Sequence, residues 1–178
     1  PALTVAALYL LEKDSDAVMV AMPADHVIPD KAIFEVAVQR GIALANAGHL
    51  VTYGVVPGHA ETGYGYIRRG DALEGSTAYR VSRFVEKPDH GTAQRYYKSG
   101  EYYWNAGMFV WRVPVVEAAF KAHAPELQAG LLKLEAAAKS AGWAKALAEV
   151  YPTLKKVSVD YALMEKSTNV VVVPATFD

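Results

Sequence analysis

The chain has no cysteine, which excludes both a disulfide framework and a thiolate metal site. It also has almost no net charge. The 18 basic and 19 acidic residues leave a formal charge of -1, so no overall field draws it to nucleic acid or to an anionic membrane. No apolar run is long enough to span a bilayer, and the apolar N-terminal segment lacks the basic flank and cleavage pattern of a signal peptide. There is no internal repeat and no low-complexity linker. With 52% hydrophobic and 21% charged residues in 178, the chain is too apolar for disorder and long enough for one domain with a sizeable core. The expectation is a cytoplasmic globular protein that binds neither nucleic acid nor membrane. A homo-oligomer is compatible with this composition, which does not fix the state.

The most informative stretch is Val18-Met19-Val20-Ala21-Met22-Pro23-Ala24-Asp25-His26. Its unbroken apolar start reads as a buried parallel strand, and Pro23 ends the ladder. In open α/β sheets ligands bind beyond the carboxyl ends of strands. A carboxylate at Asp25 suits a hard cation such as Mg²⁺ held against phosphates; capping of the next turn, with His26 packed against it, is the structural alternative. Before this stretch, residues 4–12 form a helix that is apolar nearly all round and is expected to be buried on more than one face. After it, Asp30 caps a helix from about Lys31 to Ala47, and residues 50–56 form the next strand. Helix, strand, helix, strand in that order argues for a doubly wound α/β sheet.

From Pro57 the texture changes. Gly63 and Gly65 flank Tyr64 in a loop that enters a strand, where backbone could approach a ligand or simply form a glycine bulge. It is not the dinucleotide fingerprint, which needs a strand before and a helix after it. Residues 79–86 alternate as a strand antiparallel to 64–69. That strand ends in Glu86-Lys87. In extended backbone these two point to opposite faces and need not pair; one would accept from sugar hydroxyls and the other donate to a phosphate, or both are solvated charges before a turn. Asp89 caps a helix to about Lys98. Residues 102–111 are an aromatic strand in which Asn105 stands out as an amide that needs partners if buried. Residues 114–150 are helical, with breaks near His123-Ala124-Pro125 and Ser140-Ala141-Gly142. Ser158 caps a further helix with Asp160 in its first turn, a position that suits the helix dipole. Residues 169–173 read as a buried strand needing neighbours on both sides, and no strand precedes the apolar first helix. The chain is therefore expected to be a piece of a larger domain.

Together, MPADHVIPD (22–30), ETGYGYI (61–67), FVEKPD (84–89), YYWNAGMFVWR (102–112) and SVDYALMEK (158–166) resemble the bacterial mannose-1-phosphate guanylyltransferases, among the sugar-phosphate nucleotidyltransferases. The resemblance implies a Rossmann-like, mixed, mostly parallel sheet flanked by helices, incomplete at both ends. Residues 1–56 would be the nucleotide and metal side, and 57–178 the sugar-phosphate side. It implies transfer of GMP from GTP to mannose 1-phosphate with Mg²⁺, giving GDP-mannose and pyrophosphate. Asp25 matches a metal-binding aspartate, Gly63 and Tyr64 the loop beside the sugar, Glu86 the hydroxyl acceptor, Lys87 the phosphate contact and Asn105 a further sugar contact. Asp25 and Lys87 would be the catalytic pair. Asp160 matches a motif to which no role is attached. The family's glycine-rich triphosphate loop and second metal-binding aspartate find no match, Asp178 included, so the chain alone is expected not to complete the reaction. The competing readings are a nucleotidyltransferase for glucose 1-phosphate and a non-catalytic sugar-nucleotide-binding subunit.

Overall fold

The computed structural model describes residues 1–138 and 142–177. In chain order the elements are α1 (Ala2–Lys13), β1 (Val18–Ala21), α2 (Lys31–Asn46), β2 (Leu50–Val55), β3 (Tyr66–Ala72) and β4 (Tyr79–Val85). There follow α3 (His90–Ser99), β5 (Tyr102–Arg112), α4 (Val113–His123), α5 (Pro125–Ala138), α6 (Trp143–Val150) and β6 (Val170–Pro174). The break expected at Ser140 and Ala141 lies outside the described residues, as does Asp178.

The chain divides into two compact units. The first, residues 1–19 and 112–167, is helical. In it α1 packs on α4 and α5, and Leu8, Val116, Phe120, Leu127 and Leu134 are buried. The expectation that α1 is buried on several faces is corrected: Thr4, Val5, Ala7 and Leu8 form one buried stripe, and Tyr9 is exposed. The helix expected after Ser158 is a five-residue π turn, Asp160–Met164, in which Glu165 N–H donates to the Asp160 carbonyl. Asp160 belongs to this unit.

The second unit, residues 20–111 and 168–178, holds the sheet, in the order β1-β5-β2-β6-β4-β3. Asp30 caps α2 by accepting from Ile33 N–H, and α2 lies against β2 and β6, where the Tyr53 hydroxyl donates to the Ala37 carbonyl at 3.0 Å. Asp89 caps α3 by accepting from Thr92 N–H. Helix α3 buries Ala93 and Tyr96 against Tyr66 and Tyr102, and the Tyr96 and Tyr102 rings stack at 3.9 Å. The α/β class with helices on the sheet is as expected, and β6 has β2 on one side and β4 on the other.

Two features of the sheet correct the sequence reading. It is mixed but not mostly parallel: β2 pairs with β6 in parallel, whereas β2–β5, β3–β4, β3–β5 and β4–β6 are antiparallel. The cause is local. The β3–β4 hairpin is antiparallel because a short connection joins the two strands, and the long strand β5 runs antiparallel to both β2 and β3. Second, β1 stands at the edge of the strand order, and Val20 is exposed rather than buried.

Strand β5 is the organising element. Residues 102–104 pair with β3 and residues 104–110 with β2, and Trp104 has a partner in each, Tyr66 and Val55. Within the β2 pairing, Thr52↔Phe109 steps to Gly54↔Asn105, so β5 carries extra residues there and bulges. Gly107 sits in the bulge at φ +67, a left-handed conformation open to glycine at little steric cost.

Candidate functional site

The bulge decides where Asn105 goes. Its backbone N–H donates to the Gly65 carbonyl at 2.8 Å, tying β5 to the residue just before β3. Its side-chain Oδ1 accepts from Gly107 N–H at 3.2 Å and from the Thr52 hydroxyl at 2.9 Å. Asn105 is thus held from β2, from β3 and from within its own bulge.

Gly65 provides the floor beside it. A Cβ at Gly65 would stand 2.5 Å from Glu86 Oε2 and 3.3 Å from Asn105 Cβ, so the absence of a side chain lets the carboxylate reach this spot and the Asn105 Cβ pack beside it. Glu86 follows directly on β4, and its side chain is only 12% exposed, against 61% for Lys87.

The expectation that Glu86 and Lys87 need not pair assumed extended backbone, and the structure departs from it. Lys87 has φ +46, an uncommon conformation for a residue with a Cβ. Its N–H donates to the Tyr64 carbonyl at 3.2 Å, while Nζ comes within 3.8 Å of Glu86 Oε1. Strain of this kind persists where surrounding contacts over-determine it, and functional sites are where it collects. Because the ammonium is mostly exposed, this ion pair is weak and leaves Lys87 able to meet another anion.

The loop from Pro57 to Gly65 is built around Glu61. Its Oε1 accepts from Thr62 N–H at 2.7 Å and Gly63 N–H at 2.9 Å, and His59 lies 3.4 Å from Oε2. The Gly63 and Thr62 amides, followed by His59, hold the Glu61 carboxyl below the usual carboxylate range. The Tyr66 hydroxyl closes the loop from below, donating to the Glu61 carbonyl and accepting from Glu61 N–H. Tyr64 is half exposed, and its ring meets Trp104 edge-on at 5.2 Å, as His59 does at 5.0 Å.

Glu86, Lys87 and Asn105 therefore gather around Gly65, with Tyr64 joined to them through the Lys87 backbone. Gly63 does not share that floor: a Cβ there would meet Glu61 alone, at 3.4 Å or beyond. Asp25 lies exposed in the turn after β1, and Pro23 of that loop packs over Gly107, where a Cβ would be 3.5 Å from Pro23 Cγ. No group of three or more histidine, aspartate or glutamate side chains among the described residues could hold a metal ion. Asp25 is an accessible hard oxygen donor. That fits Mg²⁺, which takes one or two carboxylates and completes its shell with water and phosphate.

The sequence assigned no role to Thr52 or Glu61, and it left Gly65 only a share, with Gly63, in a possible close approach of backbone to a ligand. The one threonine within LVTYGVV was the available signal for Thr52, and a carboxylate two residues before a glycine was the signal for Glu61. For Gly65 the signal was the glycine pair itself, from which Gly63 was chosen.

The nucleotidyl transferase family model matches residues 1–147. The chain is 42% identical to a mannose-1-phosphate guanylyltransferase of Klebsiella pneumoniae over 97% of its length, and 43% identical to the xanthan biosynthesis protein XanB of Xanthomonas campestris over 98%. It spans 37% of the length of each of these curated relatives. Among solved structures, a Thermus thermophilus protein described as a mannose-1-phosphate geranyltransferase superposes with a TM-score of 0.84 at 32% identity, covering 98% of this chain and 49% of that one. A Helicobacter pylori protein described as a mannose-6-phosphate isomerase gives 0.81 at 31%, covering 99% and 68%. A family model matching most of the chain, and relatives alike along nearly all of it, lead to one assignment: the chain belongs to the nucleotidyl transferase family.

Proposed function

We propose that this chain is part of an enzyme that transfers GMP from GTP to mannose 1-phosphate, releasing pyrophosphate and forming GDP-mannose. The observation that carries the reading is the neighbourhood of Gly65, where the shielded Glu86 carboxylate fills the space of a missing side chain, the exposed Lys87 ammonium stands 3.8 Å from that carboxylate and Asn105 packs alongside through its Cβ. A sugar phosphate asks for that combination: hydroxyls that donate and accept, next to a dianion. The names of the curated relatives support the same reading.

In this reading Glu86 accepts hydrogen bonds from sugar hydroxyls and Asn105 adds a further sugar contact, while Gly63 and Tyr64 lie beside the sugar. Lys87 leaves its weak pair with Glu86 and neutralises the sugar's phosphate, which orients a phosphate oxygen for in-line attack on the α-phosphorus of GTP. The chain supplies no nucleophile; its contribution is positioning and charge neutralisation. Asp25 would hold Mg²⁺, which when bound offsets negative charge on the phosphates. Nucleotide and sugar phosphate are cytoplasmic metabolites, so the cytoplasm is the proposed location; no described helix is long and apolar enough to cross a membrane.

Calorimetric titration of the chain with mannose 1-phosphate and Mg²⁺ tests this, beside glucose 1-phosphate, mannose 6-phosphate and a Lys87→Ala variant. Saturable binding that prefers mannose 1-phosphate and weakens tenfold or more in the variant, about the value of one charge-assisted hydrogen bond, is the expected result. Preference for glucose 1-phosphate or mannose 6-phosphate, or equal binding by the variant, would overturn it.

A further inference from the structure

Trp104 carries a cost that phenylalanine would avoid. Its indole Nε1 is buried and meets no hydrogen-bond partner among the described residues, whereas an apolar ring would fill the strand without burying a donor. The larger ring calls for a reason, and its contacts supply one. It packs against the buried cluster of Tyr66, Ala93, Tyr96 and Tyr102, and its backbone pairs with both Val55 of β2 and Tyr66 of β3. The same ring meets two rings of the 57–65 loop, Tyr64 at 5.2 Å and His59 at 5.0 Å, both in the edge-on geometry that aromatic pairs prefer.

Neither of those partners is a core residue: the His59 side chain is 64% exposed and Tyr64 is half exposed. The fixed member of the group is the tryptophan. The Tyr66 hydroxyl ties the loop at Glu61, while Trp104 meets the Tyr64 ring itself. Tyr64 passes that order on, because its carbonyl accepts the Lys87 N–H at 3.2 Å. That bond helps to hold Lys87 at φ +46, a setting that a residue with a Cβ seldom adopts by itself. A path of contacts thus runs from the core cluster through Trp104 and Tyr64 to the backbone of Lys87.

We propose that Trp104 is a positioning residue for sugar-phosphate binding. It holds the Tyr64 ring, and through the Tyr64 carbonyl it sets the backbone from which the Lys87 ammonium meets the phosphate. The proposal rests on the reading of Lys87 as the phosphate contact, and the test separates the two. Amide hydrogen exchange is followed in the ligand-free chain, and mannose 1-phosphate binding is measured by calorimetry. Both are done for wild type, Trp104→Leu, Tyr64→Leu, Lys87→Ala and the Trp104→Leu/Lys87→Ala double variant. Trp104→Phe replaces the leucine variant if the latter does not fold.

Tyr64→Leu should speed exchange of the Lys87 N–H about two- to tenfold, the range that one aromatic pair is worth. The Asn105 N–H, bonded to the Gly65 carbonyl, should keep its protection. Trp104→Leu removes both ring contacts, so it should speed Lys87 exchange at least as much and weaken mannose 1-phosphate binding by about two- to tenfold. With Lys87 already replaced by alanine, the Trp104 substitution should weaken binding by a smaller factor, because it acts through that ammonium. A purely structural tryptophan would lower protection evenly across β3 and β5, leave the Lys87 amide or the binding unchanged, or give losses that multiply in the double variant. Any of these overturns the proposal while the phosphate-contact reading stands. No binding by wild type, or wild-type affinity in Lys87→Ala, overturns that reading and this proposal with it.

Discussion

Glu86 Oε2 occupies the space where a side chain on Gly65 would begin, 2.5 Å from an ideal Cβ. The carboxylate reaches the site floor because the neighbouring residue has no side chain. The atom in the way is the tip of a flexible side chain, so a methyl group at Gly65 would push the carboxylate aside rather than break the sheet.

Gly65→Ala should therefore separate binding from stability. We expect a loss of about 1 kcal/mol or less in unfolding free energy, together with roughly tenfold weaker mannose 1-phosphate binding. Urea denaturation and calorimetry on the same preparation check this, and a variant that loses stability but keeps its affinity would contradict the placement of Glu86.

Lys87 holds a left-handed backbone with a side chain attached. Lys87→Gly and Lys87→Ala both remove the ammonium, and both should weaken binding of the sugar phosphate. Only glycine relieves the conformation, so Lys87→Gly should be more stable than Lys87→Ala by about 1 kcal/mol. Equal denaturation midpoints would mean that the positive φ is absent in solution.

The Glu61 carboxyl is held below its ordinary range chiefly by the Gly63 and Thr62 amides, with His59 adding to them. A depressed folded value means that the stabilisation is present above the unfolded value, about 4.3, and is lost as pH falls through the folded value. The Gly63 and Thr62 amide resonances should move together in that acid window, below the ordinary glutamate range, and Glu61→Ala should remove the transition. Resonances that stay fixed to pH 2 would count against the carboxylate as the loop's centre.

Burial raises the Tyr53 hydroxyl above its ordinary value near 10. Its contribution to stability is then complete below pH 10 and is lost as pH rises from there towards the folded value. Tyr53→Phe should cost about 1 kcal/mol at neutral pH through the bond to Ala37, and should flatten the decline between pH 10 and 12. Parallel alkaline denaturation series for the two proteins decide it; identical slopes would rule out Tyr53 as a source of the decline.

Much of this molecule was legible in one dimension because much of it is set by local chemistry. Asp30 and Asp89 cap the helices assigned to them, because an N-cap needs only a carboxylate within three residues of the amide it accepts from. The hairpin of β3 and β4 follows from two alternating runs and a short turn. Glu86, Lys87 and Asn105 were chosen as polar residues at strand ends; Glu86 and the Asn105 Cβ both lie beside Gly65, and the Lys87 ammonium lies 3.8 Å from Glu86.

What only the tertiary structure decided depends on contacts between distant residues. The bulge in β5 lies within its pairing to β2, next to Trp104, which pairs with both β2 and β3, and no short window of sequence contains all three strands. The left-handed turn at Lys87 reverses the local expectation for two adjacent charges, because the Tyr64 carbonyl captures its N–H. Thr52 and Asn105 are 53 positions apart, and their hydrogen bond exists because β2 and β5 lie side by side. Residue types and helix ends are properties of the chain itself; which side chain faces which is a property of strand pairing, and strand pairing is settled by packing across the whole sheet.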